Sequence, residues 1–304
     1  MTAAAAGTPV PAGTVDAHHH LWDPARRDYP WMTGEAERLR RRFGPDDLRA
    51  AAEGLGVGRT VAVQAVGSVE ETEELLAVAG ASDLVAGVVG WVDLTAPDVA
   101  DALARLAEVP GGRCLVGIRH QVHDEADPDW LAREDVLGGL RAVAAAGLVY
   151  DLLVRARELP AARRAAELVP ELSFVVDHGA KPPIAAGEWE PWSTRTAALA
   201  ALPNVACKLS GLVTEARWDA WTPEGLAPYV ARLVELFGPA RLLYGSDWPV
   251  CTLAASYRSV HEAARQCLAG LSERERAGVF AGTAVRVYRL DRTALSGPVD
   301  PGGA

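Results

Sequence analysis

From residue 14 onward, short β-branched apolar runs alternate with Ala-, Leu-, Arg- and Glu-rich stretches of helical spacing, and the alternation repeats eight times. The candidate strands are TVDAH (14–18), GRTVAVQAV (58–66), LVAGVVGWV (84–92), CLVGIRH (114–120), GLVYDLLV (147–154), LSFVVDH (172–178), NVACKLSG (204–211) and RLLYGSD (241–247). Helical patterns such as SVEETEELLAVAGA and PEGLAPYVARLVELFG lie between them, several opening on a Ser, Asp or Pro that suits a helix start. Strands separated by helices run parallel, and apolar strands without clean alternation are covered on both faces. Eight such units predict an α/β fold of one domain, a (β/α)8 TIM barrel, rather than an open doubly wound sheet. A chain of 304 residues has room for it, since such a barrel takes roughly 250. No Gly-x-Gly-x-x-Gly turn follows the first strand, which argues against a dinucleotide site.

The barrel is expected over 14–290, with a disordered leader over 1–13 and a frayed Pro- and Gly-rich tail over 291–304. The longest connection, 19–45, is placed to fold over the barrel mouth as a lid. A net charge of -10 disfavours nucleic acid and anionic membranes as partners and leaves a small-molecule substrate. A homo-oligomer is compatible with the sequence but not specified by it. Cys114, Cys207, Cys251 and Cys267 are dispersed, with no Cys-x-x-Cys pair, and read as reduced thiols. The first residues lack the basic start and apolar core of a secretion signal, so a cytoplasmic location is expected.

In such barrels the chemistry sits at the carboxyl ends of the strands. The first strand ends in VDAHHH, where simple alternation puts Val15, Ala17 and His19 on one face and Asp16, His18 and His20 on the other. His18 and His20 are then free to share a ligand while His19 points to the helix layer. Other strand ends carry Gln64, Trp91 and Asp93, Arg119 and His120, Asp177 and His178 with Lys181 beyond, Lys208 and Ser210, and Ser246 and Asp247; Asp151 lies within the fifth strand. Asp151, Asp177 and Lys208 each have a structural explanation of equal weight: a paired core carboxylate, a cap, and a stem along the barrel wall. His123, in a loop, and His261, on a helix expected at the surface, are set aside. His18, His20, His178 and Asp247 come from strands 1, 6 and 8 to one mouth and form a ligand or acid–base set.

The ordered words VDAHHHLWDP, VGIRHQV, FVVDHGAKPP, NVACKLSGL and LLYGSDWPV resemble the amidohydrolase superfamily, in particular its branch of sugar-acid and pyrone-dicarboxylate lactonases. The resemblance implies that His18 and His20 are the His-x-His of the first strand, His178 the histidine after the sixth, and Asp247 the catalytic aspartate after the eighth. It makes Arg119, His120, Lys181 and Lys208 candidates for substrate contacts. Binuclear members carry a carboxylated lysine or another bridging ligand on strand four and a histidine on strand five. Here those strands read VGIRH and VYDLLV, so two metals are disfavoured. The implied cofactor is one divalent ion, zinc by expectation, on His18, His20 and Asp247 with His178 nearby, or no metal at all.

Lactone opening needs an activated water, a polarised carbonyl and a proton for the leaving ring oxygen. In the expected scheme Asp247 moves the proton, and His178, a cationic side chain or the ion polarises the carbonyl. Trp22, Trp31 and Trp91 offer stacking surfaces for a sugar ring. Gln64, Arg119, His120 and Lys181 suit a polyhydroxylated aldonolactone. The alternatives are a decarboxylase or amide hydrolase of the same superfamily, and a noncatalytic binding barrel.

Overall fold

The eight apolar runs form eight parallel strands: β1 (Thr14–His19), β2 (Val57–Val63), β3 (Val85–Gly90), β4 (Leu115–His120), β5 (Val149–Leu152), β6 (Ser173–Val176), β7 (Val205–Leu209) and β8 (Leu242–Tyr244). Each pairs with the next in sequence order. The barrel closes where Asp247 N donates to His18 O (2.8 Å) and His20 N donates to Trp248 O (2.7 Å). The computed structural model describes residues 13–290. The expected tail, and all of the expected leader except Gly13, lie outside the described residues. Among the described residues no helix is long and apolar enough to cross a membrane.

Small and branched side chains fill the interior, with Val15, Ala17, Val61, Val63, Val89, Val149, Val175, Ala206 and Leu243 in one cluster. The last described segment, from the helix Thr283–Val287 through Leu290, adds Ala284, Val285, Tyr288 and Leu290 to this cluster. It therefore plugs the end opposite the catalytic face. Outward residues such as Ala62, Val88, Ile118, Tyr150, Phe174 and Cys207 join the larger core under the helices. Two of those helices show how local sequence sets their start: Ser68 caps the helix Val69–Ala81 and Thr222 caps the helix Pro223–Phe237, each accepting a backbone N–H.

The 19–45 connection is a fixed cover. Trp22 and Phe43 exchange backbone hydrogen bonds of 3.1 and 2.9 Å at its base. Leu21, Trp22, Tyr29, Met32, Leu39 and Phe43 are buried in the main core, and Arg38 donates to Leu253 O.

His261 departs from its expected place at the surface. It lies on the helix Tyr257–Cys267, 4% exposed, with no hydrogen-bond partner for either ring nitrogen among the described residues. Its ring packs edge-on against Tyr244 and Phe280. Burial lowers its pKa from 6.5 to about 4, with Arg265 adding to the effect and Glu262 opposing it. A folded pKa below the unfolded one means that the unfolded chain takes up a proton first, so stability is lost as pH falls from 6.5 towards 4. His261→Leu is expected to raise stability by about 1–2 kcal/mol and to flatten this decline. Thermal unfolding across that pH range checks it, and an unchanged slope would rule out His261 as the cause.

Candidate active site

The register of β1 determines the site, and it departs from simple alternation. Pairing with β2 shifts between Asp16 and His19, so Val15 and Ala17 face the interior and His18 and His20 face it as well. Asp16 points the other way, accepting from Ser246 N (2.8 Å), Ser246 Oγ (2.6 Å) and Tyr257 Oη (2.9 Å). His19 Nε2 sits 2.8 Å from Thr60 Oγ1, away from the other two rings. One irregularity thus puts two histidines inside and fastens the acid before them outside.

Three imidazoles and one carboxylate converge. His18 Nε2 is 3.3 Å from His20 Nε2, and Asp247 Oδ1 lies 3.8 Å from the first and 3.5 Å from the second. His178 Nε2 is 4.0 Å from the same oxygen. Two ligands about 2.0–2.2 Å from a tetrahedral ion stand about 3.3–3.6 Å apart. The 3.3 and 3.5 Å spacings fall in this range and the 3.8 Å one lies just beyond it, so this His/Asp cluster can hold a metal. The far ring nitrogens are held from behind: His20 Nδ1 donates to Val63 O at 2.7 Å, and His18 Nδ1 lies 3.2 Å from Asp177 Oδ1. This is the support that orients imidazole ligands. Ser210 Oγ lies 2.9 Å from His178 Nδ1.

Burial lowers the His178 pKa to about 4, against the opposing pull of Asp247 and Asp177. Burial alone would raise Asp247, but the His178 and His20 rings beside it outweigh burial and hold the carboxyl below its usual range. Bare imidazole nitrogens and an anionic carboxylate are the donor states a divalent cation requires.

The backbone at the site is unusual. His178, Gly179, Ala180 and Lys181 are consecutive left-handed residues (φ 53°, 59°, 60° and 49°), and Asp247 has φ 57°. For the non-glycine residues such conformations cost of order 1–3 kcal/mol each, and they collect where function demands them. Gly211, also left-handed at φ 61°, leaves room for this turn: a Cβ there would stand 2.5 Å from His178 Nδ1 and 3.1 Å from Asp247 Oδ2.

Beneath the rings lies a charge network that sequence reasoning did not assemble. Lys208 Nζ is 2.5 Å from Asp151 Oδ2 and 2.9 Å from Asp177 Oδ1. Arg119 Nη1 donates to Asp177 Oδ2 at 3.0 Å. Tyr288 Oη reaches up from the barrel plug to Asp151 at 2.8 Å. Two cations balance two carboxylates, which is what makes their burial tolerable. Arg119 and Lys208, expected at the substrate, are 3% and 0% exposed and engaged here.

The mouth likewise redistributes several expected contacts. Gln64 is buried, and its side-chain amide pairs with that of Gln121 by two 3.0 Å hydrogen bonds. Trp22 is also buried, its Nε1 donating to Leu39 O and Arg41 O. His120 uses both ring nitrogens within the protein, accepting from Trp91 Nε1 (3.0 Å) and pairing with Glu125 (2.7 Å), and it stacks on Trp130 at 4.4 Å. Lys181 Nζ pairs with Glu215 at 2.5 Å, and Arg155 meets the same carboxylate at 3.2 Å. Gln121, Glu125 and Glu215 were not singled out from sequence. Glu215, on a one-turn helix after β7, gave no signal there.

A family model described as amidohydrolase matches residues 15–290. An L-fucono-1,5-lactonase of Burkholderia ambifaria is 43% identical over 284 residues, covering 91% of this chain and 96% of its own. A second L-fucono-1,5-lactonase, from Burkholderia multivorans, is 38% identical, with 92% and 97% covered. A crystal structure of a Burkholderia multivorans amidohydrolase with bound zinc superposes with a TM-score of 0.86 at 38% identity, covering 92% of this chain and all of that one.

Proposed function

The chain belongs to the amidohydrolase family, and from that premise we propose that it opens sugar-derived lactones by hydrolysis, with L-fucono-1,5-lactone as the leading substrate. The observation that carries the reading is the convergence of His18 Nε2, His20 Nε2 and Asp247 Oδ1 within 3.8 Å of one another, beside His178. His18, His20 and Asp247 would hold one divalent ion, zinc in this proposal. When bound, it supplies Lewis-acid polarisation of the lactone carbonyl.

Asp247 takes a proton from the attacking water as the water oxygen bonds to the carbonyl carbon. When the bond from that carbon to the ring oxygen breaks, Asp247 returns the proton to the departing alkoxide, leaving an open-chain hydroxy acid. With the Ser210 hydroxyl donating to its Nδ1, His178 directs an Nε2 proton at the carbonyl oxygen. Trp91 and Lys181 remain the proposed contacts to the sugar. Gln64, His120 and Trp22 act on the substrate by shaping the mouth, and Arg119 and Lys208 act through Asp177. A cytoplasmic setting is part of this proposal, in keeping with the four free cysteines.

The test is acid release from a panel of lactones and simple amides, followed with a pH indicator on zinc-supplemented protein. Six-membered aldonolactones of the L-fucono type are expected to turn over with the highest kcat/KM. No acid from any lactone, alongside amide turnover, would overturn the proposal.

A further inference from the structure

Lys181 and Glu215 leave from the two turns that frame His178. Lys181 ends the left-handed run that begins at His178, its backbone N donating to His178 O at 2.9 Å. Glu215 ends the one-turn helix Leu212–Glu215, which starts directly after Gly211, where a Cβ would meet the His178 ring. The two side chains join at 2.5 Å and are 15% and 12% exposed, so the pair stands at the edge of the reaction centre, partly open to solvent. The charge of Lys181 is felt at both His178 and Asp247.

This rim is electrically matched. Arg155 meets the other oxygen of Glu215 at 3.2 Å. Asp124 supplies a second carboxylate: burial raises its pKa, and the charges of Arg155 and Lys181 pull against that rise. Deeper in the barrel, Arg119 and Lys208 are taken by Asp177 and Asp151. A substrate hydroxyl both donates and accepts, so it finds an acceptor on Glu215 and donors on Lys181. A substrate carboxylate only accepts. It meets a cation already neutralised and a carboxylate of its own sign, and like charges in juxtaposition are costly.

We propose that Glu215 is a specificity-determining residue that makes the site prefer uncharged sugar lactones and reject those bearing a carboxylate. The inference rests on the lactonase reading above and deepens it. Selectivity of this kind comes from a repulsive element as much as from an attractive one. Removing the Glu215 charge leaves Lys181 and Arg155 in excess and turns the rim towards anions.

The test compares L-fucono-1,5-lactone with freshly prepared L-galactaro-1,5-lactone, the same ring with a carboxylate in place of the terminal methyl. Zinc-supplemented wild-type protein is expected to favour the first in kcat/KM. Glu215→Gln is expected to lower that preference by on the order of 10-fold, the scale of one uncompensated charge near a protein surface, chiefly through KM of the anionic lactone. Lys181→Gln is expected to move it the other way. If Glu215→Gln changes both kcat/KM values by one factor, its role is merely structural and the proposal is overturned, as it is by wild-type protein that opens both lactones equally. Should Glu215→Gln fail to fold, Lys181→Gln decides, and a preference that does not widen overturns the proposal. Calorimetric binding separates this proposal from hydrolysis, because galactarate carries one carboxylate more than L-fuconate. Affinity for galactarate relative to L-fuconate is expected to rise by on the order of 10-fold in Glu215→Gln, and an unchanged ratio overturns the proposal. Wild-type protein that opens no lactone overturns the hydrolytic reading, while the binding ratio still judges Glu215.

Discussion

Asp247→Asn is expected to lower kcat for lactone opening by roughly 10²–10⁴-fold, the usual worth of a positioned proton carrier, with the fold intact. The backbone contact that closes the barrel, Asp247 N to His18 O, survives the change. The amide also keeps an oxygen where Oδ1 stands among the histidines, so zinc content should fall far less than the rate. What Asn cannot do is accept the proton of the attacking water and return it to the ring oxygen. Measured at saturating zinc, the defect should appear in kcat with KM little changed, because the proton moves only on the way to the transition state. A variant with wild-type kcat would remove Asp247 from the chemistry.

The second large effect is expected from a residue with no functional group. Gly211→Ala puts a Cβ 2.5 Å from His178 Nδ1 on a backbone at φ 61°. His178 cannot give way easily, because Ser210 holds the same nitrogen at 2.9 Å and its own backbone is already left-handed. Displacing the ring by about 1 Å costs on the order of 10²-fold in rate, and the strained Ala adds about 1–3 kcal/mol of destabilisation. Gly138→Ala is the control. It lies inside the helix Glu134–Ala145, and a Cβ there meets nothing within 4 Å. That change is expected to stabilise by about 0.5–1 kcal/mol and to spare activity. Equal, small effects of the two variants would mean that the Gly211 cradle does not position His178.

Much of this site is legible in sequence because the barrel puts strand ends together. His18, His20, His178 and Asp247 each follow an apolar run, and eightfold alternation is enough to bring runs 1, 6 and 8 to one mouth. The bulge in β1 is another matter. Nothing in VDAHHH marks it, since no Gly interrupts the run, and it becomes visible only when Asp16 is found bonded to Ser246 and Tyr257.

The fates of Arg119 and Lys208 are hidden for a related reason. A cation at a strand end looks available until its partners are known, and here they are carboxylates from β5 and the end of β6 together with a tyrosine 80 residues beyond Lys208. His261 was misplaced because a helix shows its period in sequence more readily than the direction of its less regular face. Glu215, Gln121 and Glu125 sit in connections, where no strand end or helical period points to them, yet they hold Lys181, Gln64 and His120 in place.

The most direct test of the central claim, that His18, His20 and Asp247 hold the ion used to open a lactone, is to remove that ion and restore it. Protein dialysed against a chelator is expected to lose L-fucono-1,5-lactone hydrolysis and to regain it on addition of one zinc per chain, while His20→Gln protein regains neither zinc nor activity. Full hydrolysis by zinc-free wild-type protein would contradict the claim.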